Sequence, residues 1–364
     1  MADAEFPGAP ATFVPRWLGE PARRVYEAEL ARRNRRFDRR IGVRRLDRPV
    51  VSVGNLSVGG TGKTPMVAHI LALLRGRGHE PCVAMRGYRP SSAGSDEACL
   101  YRAAFADLPI VAQADRLAGL EALLATPTPP PSTVGDRRGR PIDVVVLDDG
   151  FQHRRIARDL DLVLIDATCD PFSDACLPAG RLREPIASLG RADAVIVTHA
   201  EAVDAEQLGC LCRRLEGIDR PPLAITRHDW SGLLVVENGV KRDEPVRWLS
   251  DRAVVAACAI GNPGAFINRV GRSAGRLIAT MVLPDHDPFR PRTISRLLRQ
   301  SDGAEAIVLT AKDWVKLSQR RVQWSCPVVI PRLVMRFDQG QEALESAVLR
   351  AIGSGERSAA PAAR

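Results

Sequence analysis

PVVSVGNLSVGGTGKTPMVAHILALL (Pro49–Leu74) decides the fold. The apolar run from Pro49 to Gly54 reads as a short buried strand. It gives way to a glycine-rich turn, SVGGTGKTP (Ser57–Pro65), and from Lys63 to Leu74 apolar residues recur at helical spacing. Gly59, Gly60 and Gly62 let the backbone turn its N–H groups inward around phosphate oxygens. The helix that follows offers its positive end to the same anion. Lys63 has the reach for β- and γ-phosphates, and Thr64 carries a hydroxyl suited to Mg2+. Pro65 is tolerated in the first helical turn. The pattern G-x-x-x-x-G-K-[ST] is met except at its first glycine, which falls on Ser57. Val58, Gly59, Gly60, Thr61, Gly62, Lys63, Thr64 and Pro65 are therefore the candidates for holding a nucleotide phosphate. An ordinary strand-to-helix turn leaves the Lys-Thr pair unexplained.

Working outward, strand-like runs follow at Pro81–Arg86, 108–112, 143–148, Asp161–Asp166 and Ala192–His199, with a helix at Asp115–Ala125. Continuous Val/Ile/Leu runs alternating with helices predict an α/β fold whose parallel sheet is covered on both faces. VVVLDDGFQHRR (Val144–Arg155) puts two carboxylates at the C-terminal end of a buried strand, the ligand edge of such a sheet. Asp148 or Asp149 fits the role of holding Mg2+, directly or through water. A turn-forming Asp pair before Gly150 is the plainer alternative. Gln152 and His153 come next and would face the same cleft. Taken alone, His153 reads as a loop histidine with a structural hydrogen bond.

A chain of 364 residues is long for one domain, so two are expected. Thr126–Arg140 (TPTPPPSTVGDRRGR) reads as a surface excursion, since the pattern resumes unchanged after it. Near residue 230 the texture changes. LLVVENGVKRDEPVRWL (Leu233–Leu249) carries a hairpin signal at Glu237-Asn238-Gly239. A second α/β series then runs from Ala253 to Ile352. The expected division is a basic N-terminal arm or helix (1–48), a P-loop domain (49–230), a β linker (231–250), a smaller α/β domain (251–352) and a disordered tail (353–364). Residues 1–15 also read as disordered.

The net charge is +9, and between Arg16 and Arg48 twelve arginines face five acids, so most of the excess lies in the arm. Its helix, residues 16–41, has a loose apolar stripe of Ala22, Val25, Tyr26, Leu30, Phe37 and Ile41. Such an arm points to an anionic surface, while a solvated basic helix packed on the core is the alternative. Nucleic acid is not expected, because no recognised motif accompanies the charge. Eight cysteines without a CxxC pair read as reduced thiols. Neither a signal peptide nor an apolar run of about 20 residues is present, so a cytosolic or membrane-surface protein is expected.

Beyond the phosphate loop the chain resembles one family. VSVGNLSVGGTGKTP (Val51–Pro65), MRGY (Met85–Tyr88), SDE (Ser95–Glu97), LDDGFQHRRIARDLDLVLID (Leu147–Asp166), LPAGRLREP (Leu177–Pro185), AIGNPGAF (Ala259–Phe266), LPDHDPF (Leu283–Phe289) and TAKDWVKL (Thr310–Leu317) follow one another as in tetraacyldisaccharide 4'-kinases. The resemblance implies two α/β/α sandwich domains of P-loop NTPase type joined by a small β linker, with the active site in their cleft. It implies transfer of the γ-phosphate of ATP, with Mg2+, to the 4'-hydroxyl of an acylated glucosamine disaccharide 1-phosphate. Asp96 resembles the family's catalytic aspartate and His286 its partner histidine, beside Lys63. A carboxylate able to take the hydroxyl's proton suits this reaction. Arg181 and Arg183 are candidates for pairing with substrate phosphate, and Glu184 for positioning substrate or Mg2+. Arg89-Pro90 after RGY, Asp287 in place of a second histidine and Ala311 in place of an acid depart from the family pattern.

The substrate so implied lies in the inner leaflet of a bacterial inner membrane. The expected location is thus cytoplasmic and peripheral on that face, with no obligate protein partner. Trp17, Leu18 and Tyr26 would then dip into the interface. A nucleotide-driven ATPase or GTPase is the competing function, disfavoured by the lack of an NKxD motif. An inactive scaffold is a third.

Overall fold

The computed structural model describes residues 16–87, 96–126, 140–285 and 287–353, and the side chains of all of these except 16–18, 96 and 97. The expected disordered ends except Gly353, which closes a helix, nearly all of the 126–140 excursion, Tyr88 and His286 lie outside the described residues, as do the side chains of Trp17, Leu18 and Asp96. The described chain forms two compact units. One takes the residues up to 87, then 104–227 and 335–353; the other takes 96–103 and 228–334.

The first unit opens with α1 (Arg16–Asp38), β1 (Val50–Asn55), α2 (Lys63–Gly76) and β2 (Pro81–Met85). After α3 (Asp96–Ala104), which groups with the second unit, come β3 (Ile110–Ala112), α4 (Arg116–Ala125), β4 (Val144–Asp148), β5 (Leu160–Asp166), β6 (Ala194–Thr198), α5 (Ala205–Glu216) and the start of β7 (Pro222–Glu237). The strand order is β3-β2-β4-β1-β5-β6-β7, and every pairing along it is parallel. β1, β4 and β5 are buried along their whole length, as unbroken apolar runs require when both faces are covered. Leu117 and Leu120 of α4 join Val50, Val145 and Leu147 in one apolar cluster. Leu211 and Leu215 of α5 join Val163, Ile165, Val195 and Val197 in another. α2 buries Met66, Val67, Ile70, Leu71 and Leu74 at helical spacing. Each such leucine contributes roughly 2 kcal/mol by burial, so the helix that begins at Lys63 is anchored by its own apolar face.

In the second unit β7 turns at Asn238-Gly239, with φ of 49° and 81°, into antiparallel β8 (Val240–Glu244). That is the hairpin the Asn-Gly signal predicts. β9 (Ala253–Cys258), α6 (Pro263–Ser273), β10 (Arg276–Val282), α7 (Pro291–Gln300), β11 (Ala306–Leu309), α8 (Ala311–Ser318) and β12 (Val328–Gln339) follow, with parallel order β10-β9-β11-β12. α9 (Gln341–Gly353) ends the described chain.

Residues 335–353 group with the first unit, whereas the sequence pattern alone runs them on with the second α/β series. There α9 packs on α2, β1 and β5 and buries Leu344, Val348, Ala351 and Ile352. Periodicity reveals that a helix is amphipathic, not which sheet it will cover. The apolar stripe expected on α1 is kept only in part: Tyr26 and Leu30 turn inward, beside Gly19 and Asn34, whereas Val25 is 71% and Ile41, past the helix end, 50% exposed.

Candidate active site

β1 delivers the chain to the phosphate loop at the C-terminal edge of the first unit's sheet. Gly54 has a packing reason: a Cβ there would meet Phe151 Cβ at 2.4 Å. The 147–153 segment can therefore lie directly on the end of β1. Gln152 Nε2 donates to Asn55 O at 2.9 Å, and Asn55 Nδ2 donates to Ser57 O at 2.6 Å. Gly59 and Gly62 take φ of 124° and 80°, which a side chain would resist. Val58, Gly59 and Gly60 are exposed, Thr61 and Gly62 are buried, and Lys63, Thr64 and Pro65 are half-buried at the start of α2. The result is a solvent-facing loop set on a helix N-terminus, the arrangement that takes phosphate oxygens.

Asp148 ends β4, buried at 3% exposure. Asp149 turns out of the strand in the left-handed region, φ 55°. Lys63 Nζ lies 3.7 Å from its Oδ1, and Arg183 Nη1 donates to both of its oxygens at 2.8 Å. Burial would raise the Asp149 pKa. The charges of Lys63 and Arg183, the Arg183 hydrogen bond and the charge of Arg116 outweigh burial and hold it below the usual carboxylate range. Arg116, buried at the first residue of α4, donates to the carbonyls of Asp148 and Asp149 at 3.0 and 2.9 Å. Three cations thus face two carboxylates, a local balance that suits a polyphosphate carrying its own cation.

Burial, followed by the charges of Arg116, Arg158 and Arg155, pushes His153 down to about 4, so its ring is neutral near pH 7. His153 Nε2, Gln152 Oε1 and Asn55 Oδ1 are buried without a hydrogen-bond partner. Acceptors and an imidazole nitrogen left unsatisfied here fit a site made for a polar ligand.

The 177–185 loop runs beside the phosphate loop. Val58 N donates to Arg181 O at 2.8 Å, and Arg183 N donates to Leu56 O at 2.6 Å. The Arg181 side chain turns to Asp174 at 3.4 Å, whereas Arg183 turns to Asp149. Glu184 faces α1 and Arg191. It is fully buried, with Asn34 Nδ2 and Arg191 Nη1 each 3.0 Å from its Oε2, and Arg33 at 4.0 Å. Tyr26 O–H donates to Arg183 O at 2.8 Å. Lys63, Asp149 and Arg183 thus meet in one constellation, with Gln152 and His153 on the same segment as Asp149. Asp96 is the first residue of α3, and His286 lies outside the described residues.

The profile of the tetraacyldisaccharide-1-P 4'-kinase family, LpxK, matches residues 15–353. The chain belongs to this family. Among curated relatives, the tetraacyldisaccharide 4'-kinase of Geobacter metallireducens is 36% identical over 285 residues, 76% of this chain and 80% of that one. The enzyme of the same name from Chlorobaculum parvum is 30% identical over 362 residues, 92% of this chain and 94% of its own. A crystal structure of LpxK from Aquifex aeolicus in complex with ATP superposes with a TM-score of 0.66 and 27% identity, covering 93% of this chain and 99% of that one. Sequence reading missed Arg116 and the α1 contacts of Tyr26 and Asn34. Arg116 stands in a plain helix start, Asp115-Arg116, which carries no local signal. The α1 contacts span |i−j| of 157 and 150, beyond any motif.

Proposed function

We propose that this chain transfers the γ-phosphate of ATP to the 4'-hydroxyl of a tetraacyldisaccharide 1-phosphate, the kinase step of lipid A assembly. The observation that carries the reading is the joining of Lys63, Asp149 and Arg183 beside a phosphate loop in a chain of the LpxK family. Thr61, Gly62 and Lys63 present the helix N-terminus to the β- and γ-phosphates, and Lys63 adds its ammonium. Thr64 with Asp148 or Asp149 would hold Mg2+, which supplies charge neutralisation at the phosphate oxygens. Asp96 takes the proton of the sugar hydroxyl as its oxygen bonds to the γ-phosphorus and the bond from that phosphorus to the β-phosphate oxygen breaks, releasing ADP, and His286 orients that carboxylate. Arg183 steadies Asp149 and offers its remaining donors to phosphate. Glu184 holds the arginine loop from beneath rather than touching substrate.

The acceptor carries acyl chains, so the enzyme works at a membrane surface, peripheral on the cytoplasmic face. Exposed Arg24, Arg35 and Arg36 on α1 and Arg39 just after it, with Val25, supply the contact. No described helix is long and apolar enough to cross a membrane. The test incubates the protein with ATP labelled on the γ-phosphate, Mg2+ and a tetraacylated disaccharide 1-phosphate in detergent micelles, beside Asp96→Ala. Label in a bisphosphorylated lipid, made by the wild type alone, is expected. Phosphate release without labelled lipid would instead favour an ATPase.

A further inference from the structure

The end of β6 reaches back to the phosphate loop through two residues that the reading above does not use. Thr198 is fully buried, and its hydroxyl donates to Thr61 O at 3.0 Å. His199 is 6% exposed, and its Nε2 stands 2.9 Å from Gly60 O. Its Nδ1 stands 3.3 Å from Glu201 Oε1. Asp166, at the end of β5, brings Oδ2 to 4.0 Å from Nε2, while its other oxygen accepts from Thr168 N and Oγ1.

A backbone carbonyl and a carboxylate only accept hydrogen bonds. A neutral imidazole has one N–H, so it would set a lone pair against one of these oxygens. An imidazolium satisfies both. Burial works against the charge. The Glu201 hydrogen bond, the charges of Asp166 and Glu201 and the Gly60 carbonyl overcome it and bring His199 up to about 9. The backbone is held in place for this ring: His199 has φ 58°, a left-handed conformation costing a non-glycine residue about 1 kcal/mol or more. In a planar trans peptide the C=O and the next N–H point in opposite directions. Holding Thr61 O toward Thr198 therefore turns the Gly62 N–H the other way. Holding Gly60 O fixes the tight turn in which Thr61 N donates to Gly59 O at 3.1 Å.

We propose that His199, as an imidazolium clamped by Glu201 and Asp166, is a positioning residue for ATP, which with Thr198 sets the phosphate-loop carbonyls. This rests on the preceding reading only in that ATP is the ligand of the loop. The phosphate acceptor plays no part.

The test has two arms that need no lipid. Nitrogen-15 histidine NMR of the full chain at pH 7.5 is expected to show both ring nitrogens of His199 protonated, with the signal assigned by its absence in His199→Ala. A neutral tautomer overturns the proposal. Calorimetric titration with Mg-ATP is expected to give about tenfold weaker binding for His199→Ala, the size of a lost charged hydrogen bond. His199→Lys keeps a cationic donor and is expected to recover most of that loss. Binding within twofold of wild type in a folded His199→Ala overturns the proposal, as does equal weakening in both variants. Failure of phosphate transfer to lipid with these results intact would count against the kinase reading alone. Should His199→Ala not fold, His199→Lys and Glu201→Gln supply the assignment and the binding comparison.

Discussion

The phosphate loop and the arginine loop run side by side, joined from Val58 N to Arg181 O and at the bridge between Ser57 and Leu182, yet they are held in opposite ways. The phosphate loop takes its binding groups from its own stretch, and only its Gly60 and Thr61 carbonyls are met from β6, by His199 and Thr198. Its glycines, its lysine and the start of α2 come from one stretch of nine residues, and its crest is open to solvent. The arginine loop is held from outside, by Tyr26 and Asn34 of α1, by Arg191 and by Asp174. One loop binds through its own backbone. The other owes its geometry to side chains distant in sequence. Substitutions in the first should strike chemistry directly, and those supporting the second should strike stability first and activity by degrees.

The largest effect is expected at Lys63→Ala. It removes the cation facing Asp149 and the phosphates, and kcat/KM for phosphate transfer is expected to fall about a thousandfold or more. Circular dichroism and the denaturation midpoint are expected to stay near wild type, because Lys63 is half-buried at a helix start and supports no core. A folded Lys63→Ala with near-normal transfer would break the comparison at its strongest point.

Arg183→Ala is expected next, with a loss of about a hundredfold in kcat/KM. Asp149 then keeps Lys63 but loses a cation that meets both its oxygens. Arg183→Lys is expected to recover only part, since an ammonium can meet both oxygens as Nη1 does but lacks the guanidinium's remaining donors for phosphate. A double-mutant cycle with Asp149→Asn sharpens the result. If Arg183 acts through Asp149, the two losses fall well short of additive.

These two residues differ in how far the sequence announces them. Lys63 is legible because its role needs only local order: strand, glycine turn, helix. The parallel sheet is legible for a like reason, since burial on both faces writes unbroken apolar runs such as Val144–Leu147. Arg183 is legible through the family resemblance alone, because a Pro/Gly loop with two arginines has many uses. Glu184 reads as a ligand when only its neighbours in sequence are known, and its burial under Asn34 and Arg191 appears only in three dimensions. Arg116 was silent because its work is done on two backbone carbonyls, which any loop possesses. α1 shows the same limit. Its inward face mixes Leu30 and the Tyr26 ring with polar contacts of the Tyr26 hydroxyl and Asn34, and an apolar-stripe search is blind to the polar part.

Glu184→Gln tests the outside support of the arginine loop. Removing the charge leaves Arg191 with a weaker partner. Breaking a buried pair costs about 3–5 kcal/mol, and Arg191 keeps some access to water, so about 2 kcal/mol is expected in urea denaturation. Activity of the folded fraction is expected to drop less than in Arg183→Ala. A loss of transfer as large as Arg183→Ala with unchanged stability would return Glu184 to the substrate.

The smallest effect is the most discriminating. Tyr26→Phe deletes one hydroxyl, whose hydrogen bond to Arg183 O is the contact of α1 nearest to the Asp149 constellation. The ring stays, so packing against the apolar cluster it touches is kept. A single neutral hydrogen bond contributes about 1 kcal/mol, and the midpoint of denaturation is expected to shift accordingly. Arg183 would still find Asp149 through charge, so kcat/KM is expected to change no more than about threefold. If the hydroxyl matters as much as the guanidinium, α1 belongs to the catalytic apparatus, and the division between a self-made loop and a supported loop fails. If stability falls while transfer holds, the helix is a strut. Its exposed arginines are then free to meet an anionic surface without disturbing the chemistry beneath.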